Sequence, residues 1–164
     1  GGEGHFAARF RRVAPCEERF APFGFKPDRE TQAHAEELYT SLFTDVPGRF
    51  QRVRDRVILL PNELPDIAGL SVLRAGGEFG EAKKNRIEPA HGIFMASRAE
   101  NCRSVLHLTS NDPALFAFLR GEEIPAEGLS GYTAVAADGI VTGFGKASNG
   151  VLKNRYPKGL RTHL

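Results

Sequence analysis

The apolar and polar positions first follow a helical pattern, between residues 28 and 45. Asp28 has a side chain suited to capping the amino end of a helix, and Pro47-Gly48 would stop one. The apolar residues that recur at helical spacing are Ala35, Leu38, Tyr39, Leu42 and Phe43. This pattern predicts one amphipathic helix.

Between Arg49 and Ser97 the pattern changes to short β-prone runs separated by proline and glycine. Pro89 ends the last of these runs, and a short helix is expected near His91 to Ala96. The predicted strands are Phe50 to Val53, Arg56 to Leu60, Leu70 to Arg74 and Phe79 to Arg86.

A second amphipathic helix is predicted after Asp112, which can cap it. Pro113 suits the first helical position, and Gly121 can end the helix. The apolar residues that share one face of it are Leu115, Phe118 and Leu119.

The final third of the chain alternates tight turns with β-prone runs. Asp138-Gly139 and Asn149-Gly150 favour the positive backbone angles of hairpin turns, so two consecutive hairpins are expected. Gly143 and Gly145 predict a bulge or a sharp bend in the middle strand. The three strands are Tyr132 to Ala137, Ile140 to Ala147 and Val151 to Asn154. Many short strands with two helices predict an α+β fold that contains a small β-barrel.

Composition places the chain among folded globular proteins, with 41% hydrophobic and 26% charged residues. No apolar run approaches the roughly 18 to 20 residues of a membrane-spanning helix, and charges interrupt the amino-terminal segment where a secretory signal would be apolar. Cys16 and Cys102 are the only cysteines and form no CxxC pair. A protein of the reducing cytoplasm is expected.

Signatures of catalysis are weak. Gly143-Phe144-Gly145 lacks the third glycine of a dinucleotide loop, and Gly145-Lys146-Ala147 lacks the Ser or Thr of a phosphate-binding loop. The five histidines have no paired spacing with a carboxylate, so no metal site is expected. Cys102 and His107 are near in sequence, but only contact and a lowered thiol pKa would make them a nucleophilic pair.

Positive charge gathers near the carboxyl end, although the net charge is only +2. Phe144 and Tyr156 are interleaved with these cations, a mixture that binds a sugar-phosphate backbone and stacks an unpaired base. An equally open alternative has Tyr156 and Leu160 packing under the barrel while the lysines confer solubility. After Asp138 the sequence has no acidic residue and five cations, Lys146, Lys153, Arg155, Lys158 and Arg161.

Two other basic groups lie earlier in the chain. Arg52, Arg54 and Arg56 alternate with other residues and would share one face of a strand, either as phosphate ligands or as a solvated surface. The second group lies between Glu81 and Glu88 and consists of Lys83, Lys84 and Arg86.

Three blocks of sequence, in the same order along the chain, carry a family resemblance. They are the run from Gly143 to Arg161, the runs 70–84 with 87–91, and the run 2–10. The first resembles the C-terminal, PUA-like RNA-binding domain of the NOL1/NOP2/Sun methyltransferases, which modify C5 of cytosine in ribosomal RNA. The second is similar to the segment before that domain, and the third to the last strand of the methyltransferase domain.

The resemblance implies a PUA-like barrel at residues 105–164 packed against a smaller α+β sub-domain at 28–104. Residues 1–27 would be the terminal strand of a removed methyltransferase domain plus a linker. The family binds S-adenosylmethionine and uses two cysteines upstream of the block at 2–10, so this chain is expected to be non-catalytic and to bind no cofactor itself. Glu17-Glu18 replace the small residues of the family's Pro-Cys motif, and Cys16 is given no role.

The expected function is to bind ribosomal RNA and position it for the methyltransferase domain, the second expected partner. The alternative is a protein-docking module of the same enzyme, and an enzyme in its own right is disfavoured because no cofactor loop is found. The residues expected to contact RNA are Lys83, Lys84, Arg86, Lys146, Lys153, Asn154, Arg155, Tyr156, Lys158 and Arg161.

Overall fold

The computed structural model describes residues 28–62, 69–72 and 75–162, together with the single positions 9, 11, 13, 64 and 67. The strand predicted over residues 4–12 and the linker predicted over 15–27 therefore lie outside the described residues, apart from isolated positions.

The first half of the described chain is a helix on a four-stranded antiparallel sheet. Helix α1 (Arg29–Leu42) begins where predicted, because the Asp28 carboxylate accepts the backbone N–H of Glu30. The strands, in the order β1-β2-β3-β4, are β1 (Arg49–Val53), β2 (Arg56–Leu60), β3 (Gly77–Ala82) and β4 (Ile87–Pro89).

Three predictions for this half are wrong in part. Helix α1 ends at Leu42, because the next residue, Phe43, is extended and forms a β-bridge with Cys102. The predicted strand at Leu70 to Arg74 is wrong over its described residues 70–72, which form a bend and irregular backbone. The predicted strand at Phe79 to Arg86 is in fact two strands, because the chain turns back where the Lys83 N–H donates to the Arg86 carbonyl.

The second half is a curled, five-stranded half-barrel with strand order β5-β7-β8-β9-β6. Both predicted hairpins are confirmed: Asp138 and Asn149 adopt φ angles of 48° and 53°, and each is followed by a glycine with positive φ. The strands are β5 (Val105–Leu108), β6 (Ile124–Pro125), β7 (Gly131–Ala137), β8 (Ile140–Ser148) and β9 (Val151–Asn154).

Helices α2 (His91–Met95) and α3 (Pro113–Arg120) also match the sequence predictions. Asp112 caps α3 by accepting the Ala114 N–H, and Gly121 ends it in the left-handed conformation. The bulge predicted near Gly143 is present, because the β7–β8 register shifts there and leaves Thr142 without a partner across the ladder. The α+β fold class is thus confirmed.

Apolar side chains form two clusters, one on each face of the five-stranded sheet. One face carries Val135, Ala147 and Leu152, which pack against Phe118 of α3. The other face carries Ala134 and Phe144, which belong to a cluster shared with the first half of the chain. The Phe144 ring stacks on Phe94 of α2, with centroids 4.3 Å apart and planes at 7°. The first half therefore covers part of one face of this sheet.

Tyr39 belongs to the apolar cluster that contains Phe94 and Phe144, and its pKa allows a test of that cluster. Burial and a 3.0 Å hydrogen bond to Asp45 raise the pKa of Tyr39 from 10.0 to about 12. The phenol therefore keeps its proton in the folded state at pH values where the unfolded chain loses it, so stability falls as pH rises from 10 towards 12. Tyr39→Phe should cost about 1 kcal/mol at neutral pH, and this difference should shrink above pH 10. Urea unfolding of both proteins measures it, and a difference independent of pH would contradict the assignment.

Candidate nucleic-acid interface

A row of polar side chains crosses strands β7, β8 and β9 of the five-stranded sheet. Tyr132 pairs with Lys146 across β7 and β8, and Lys146 pairs with Lys153 across β8 and β9. Directly paired residues point to the same face of an antiparallel sheet, so the three side chains lie side by side. The Lys146 ammonium lies over the Tyr132 ring, 5.6 Å from its centroid.

This row belongs to the same sheet face as the buried Phe144, because Phe144 and Lys146 are two positions apart on one strand. Along that face the sheet changes from covered and apolar to exposed and cationic. Arg155 follows Lys153 at the same spacing and is exposed. The cationic side chains of this part of the tail are thus gathered on one side of the sheet.

Arg155 also joins the row to strand β4. Its Nη1 lies 3.9 Å from Oε2 of Glu88, and Nη2 of Arg86 lies 2.7 Å from Oε1 of the same carboxylate. The Glu88 carboxylate therefore forms ion pairs with two arginines, one from each half of the chain. The surface formed by Arg86, Glu88, Tyr132, Lys146, Lys153 and Arg155 is called the basic platform below.

Charges in the basic platform influence one another. The hydrogen bond from Arg86, assisted by the charge of Arg155, holds the pKa of Glu88 below its usual value although partial burial opposes this. Burial and the nearby Glu88 charge raise the pKa of Tyr132. At neutral pH the platform therefore presents an ionised carboxylate and a protonated phenol among its cations.

Lys83 and Lys84 lie in the β3–β4 turn, apart from the tail cations. Lys83 forms an ion pair with Glu81, and Lys84 is exposed. Both line a small depression beside α1 to which Arg52 and Arg86 also contribute. Arg86 thus belongs to this depression and to the basic platform.

The predicted arginine stripe at 52, 54 and 56 is wrong. Arg54 lies in the β1–β2 turn with φ of 60°, and Val53 pairs with Arg56. Since Arg52 pairs with Val57, Arg52 and Arg56 occupy neighbouring rungs and point to opposite faces. A hairpin replaces the continuous strand that the stripe required.

Asn154, Tyr156 and Arg161 use their polar or aromatic groups within the protein. The Asn154 amide donates to the carbonyls of Phe118 and Glu122 at the end of α3, and its oxygen accepts the Tyr156 N–H. The Tyr156 ring lies 5.4 Å from the Phe118 ring, and the Arg161 guanidinium donates to the Tyr156 carbonyl. These contacts favour a packing role for all three.

The remaining tail residues divide between core and surface. Phe144 is 3% exposed, so it cannot stack on a base as the sequence suggested. Leu160 is 55% exposed and does not pack under the sheet. Lys158 is exposed in a 3-10 turn, Lys158–Leu160, beyond the last strand.

Other chemistry-bearing groups do not assemble into a site. Burial raises the pKa of the Cys102 thiol, which donates to the Arg98 carbonyl, the opposite of what a nucleophile needs. Among the described residues, His, Cys, Asp and Glu form no group of three that could hold a metal. None of the helices described combines the length and apolar character needed to cross a bilayer.

A curled sheet with an open row of cations beside an aromatic ring is typical of nucleic-acid-binding domains. Comparison with protein families agrees with this class. Residues 105–162 match the model of the methyltransferase RsmF PUA domain, and residues 23–96 match the RsmF rRNA methyltransferase first C-terminal domain. Together these two segments cover about four fifths of the chain.

The chain belongs to the RsmF-type rRNA methyltransferases and represents their C-terminal, PUA-type RNA-binding region. Both matched models are C-terminal, non-catalytic domains. The predicted family resemblance is therefore confirmed.

Sequence reasoning missed two members of the basic platform, Glu88 and Tyr132. In the sequence Glu88 marks only the end of the second basic group, and Tyr132 only the start of a predicted strand. A signal for Tyr132 was available, because the Asp138-Gly139 turn and the bulge predicted near Gly143 together place it opposite Lys146. No local signal linked Glu88 to Arg155, since their contact joins separate parts of the chain.

Proposed function

We propose that this chain grips folded ribosomal RNA through the basic platform, so that a methyltransferase domain can reach one flipped-out cytosine. Residues 105–164 would supply most of the RNA contacts, residues 28–104 would support them and add Arg86 and Glu88, and residues 1–27 would lead in from the methyltransferase domain. S-adenosylmethionine would be bound by that other domain, and the protein would act in the cytoplasm.

The observation that carries this proposal is the pairing of Lys146 with Lys153 beside Tyr132, extended by Arg155 towards β4. Two like charges on directly paired strand positions repel each other, which costs stability in the free protein. Binding an anionic polymer relieves that repulsion. A surface that only had to be soluble would gain nothing from placing its cations so closely.

Phosphate contacts should dominate the binding free energy. Each cation that neutralises a phosphate releases a condensed counterion, so affinity falls steeply with salt. Arg155 can donate two parallel hydrogen bonds to one phosphate, whereas each lysine acts as a point charge. The planar fork of Arg155 is partly oriented by Glu88 before RNA arrives.

Replacing three cations of the basic platform, Lys146, Lys153 and Arg155, and the exposed tail residue Lys158 with glutamine should weaken binding to ribosomal-RNA hairpins. The expected loss is on the order of 100-fold near physiological salt, since each exposed charged contact contributes up to about 1 kcal/mol. The slope of log affinity against log salt should become shallower by roughly three units. Gel-shift or fluorescence titration over a salt series measures both quantities.

A control variant with the same net charge removes four cations outside the basic platform: Arg29→Gln, Arg54→Asn, Arg98→Gln and Arg120→Gln. Each is exposed, and Arg120 lies on α3, which packs on the other face of the sheet. This variant should keep most of the affinity and salt slope. Equal losses of affinity in both variants would mean that net charge alone drives binding.

Unchanged RNA binding by the variant of Lys146, Lys153, Arg155 and Lys158 would refute the site. If the wild-type protein gave no gel shift with RNA, the docking-module alternative would be favoured.

A further inference from the structure

Glu88 is a negative charge inside a surface proposed to bind phosphates, and this requires an explanation. A carboxylate repels phosphate, so Glu88 should weaken RNA binding unless it makes a favourable contact of its own. The inference below rests on the proposed function and concerns what this one residue recognises.

The two oxygens of Glu88 are used unequally. Oε1 accepts from Nε and Nη2 of Arg86, at 3.3 and 2.7 Å. Oε2 lies 3.9 Å from Arg155, which is an ion pair but is too long for a hydrogen bond. No hydrogen bond to Oε2 occurs within the described part of the chain, and the side chain is 24% exposed. One oxygen of an oriented carboxylate is thus available to a ligand.

The neighbours of this oxygen suit a nucleobase better than a phosphate. The Tyr132 ring packs against Phe144, with ring centroids 6.1 Å apart and planes at 54°, and it is only partly buried. Its hydroxyl forms no hydrogen bond among the described residues. An acceptor on Glu88, a donor on Arg155 and an aromatic wall on Tyr132 are the groups that read an unpaired base.

We propose that Glu88 recognises an unpaired base that carries an amino group, accepting the exocyclic N–H while Arg155 donates to the adjacent ring nitrogen or carbonyl. Cytosine, adenine and guanine each present such an amino group. Uracil has no amino group, and its ring N3–H donor lies between two carbonyl oxygens, so uracil placed as cytosine is placed would turn a carbonyl oxygen towards the carboxylate oxygen and be repelled. Glu88 therefore makes the basic platform select against uracil.

A simpler role for Glu88 is to orient Arg86 and Arg155 without touching RNA. The two roles predict opposite effects of Glu88→Gln. If the carboxylate only orients cations and repels phosphate, its neutralisation should alter binding to all sequences alike. If it accepts an amino group, the loss should be confined to amino-bearing bases.

The test compares oligocytidine with oligouridine of equal length on the full chain, because the two carry identical charge. Wild-type protein should bind oligocytidine about five-fold or more tightly, with the same salt slope for both. Glu88→Gln should abolish this preference and leave the salt slopes unchanged. Arg86→Gln, which keeps the carboxylate, should lower both affinities and preserve the preference.

Tyr132→Leu provides a second variant, expected to weaken both oligonucleotides without changing either salt slope. Equal binding of the two by wild-type protein, or a Glu88→Gln effect that is the same for both, would overturn the inference and leave the proposed function standing. Failure of both to bind at low salt would overturn the proposed function, and this inference with it.

Discussion

Phe144→Ala is expected to destabilise the protein by about 3–5 kcal/mol, the largest effect of any substitution considered. Phe144 is 3% exposed and stacks on Phe94, which lies on α2 in the first half of the chain. Removing the ring leaves a cavity that neither a strand nor a short helix can easily fill. Urea unfolding followed by circular dichroism measures the loss.

Phe116→Ala is the matched control, because Phe116 is 47% exposed on the outside of α3. It should change stability by less than about 1 kcal/mol. The wild-type protein should also unfold in one transition, since Phe94 and Phe144 belong to one apolar cluster. Equal costs for the two phenylalanines, or two separate transitions, would show that the halves do not share a core.

Local chemistry made the second half of the fold predictable. Asp138-Gly139 and Asn149-Gly150 adopt positive φ at both central residues, so they specify the two hairpins with little help from the rest of the chain, while the bulge at Thr142 shifts the β7–β8 register by one residue. The same holds for α3, where Asp112, Pro113 and Gly121 mark the start and the end of the helix. These elements are encoded by residues that are adjacent in sequence.

Elements that depend on distant partners could not be predicted. Strand β5 pairs in parallel with β7, and the two-residue strand β6 pairs with β9, so neither has a turn of its own to mark it. Helix α1 stops early because Phe43 meets Cys102, a contact with no signature in the local sequence. Propensity is a weak guide wherever such tertiary pairing decides the outcome.

The candidate site divides in the same way. Composition alone identified Lys146, Lys153 and Arg155 as candidates, and the predicted hairpin register is enough to place the two lysines side by side. The sequence did not show that Asn154 and Tyr156, unlike these three cations, use their side chains inside the protein. That role depends on Phe118 of α3, whose carbonyl accepts the Asn154 amide and whose ring packs against Tyr156. The sequence therefore predicted that the surface is cationic, but it did not predict which tail residues face outward and which pack inside.

Gly145→Val is expected to cost about 3 kcal/mol or more and to weaken RNA binding as well. A Cβ on Gly145 would lie 2.2 Å from Cδ2 of Leu152 and 2.7 Å from the Lys153 carbonyl oxygen. Leu152 is fully buried, so its side chain has no free space to enter. Strand β9 must then move away from β8, which disturbs the pairing of Lys153 with Lys146. Urea unfolding and RNA titration of the same preparation measure both effects.

Gly77→Val is the matched control, since Gly77 also lies in a strand but has open space where its Cβ would be. Valine is favoured at exposed strand positions, so this variant should be as stable as wild type and bind RNA equally well. Gly145→Ala should be intermediate in stability, because a single methyl group already meets the Leu152 side chain.

A Gly145→Val protein that loses stability but binds RNA with wild-type affinity would show that the Lys146–Lys153 pairing is not needed for binding. A Gly145→Val protein as stable as Gly77→Val would mean that β9 can move away from β8 without loss of stability.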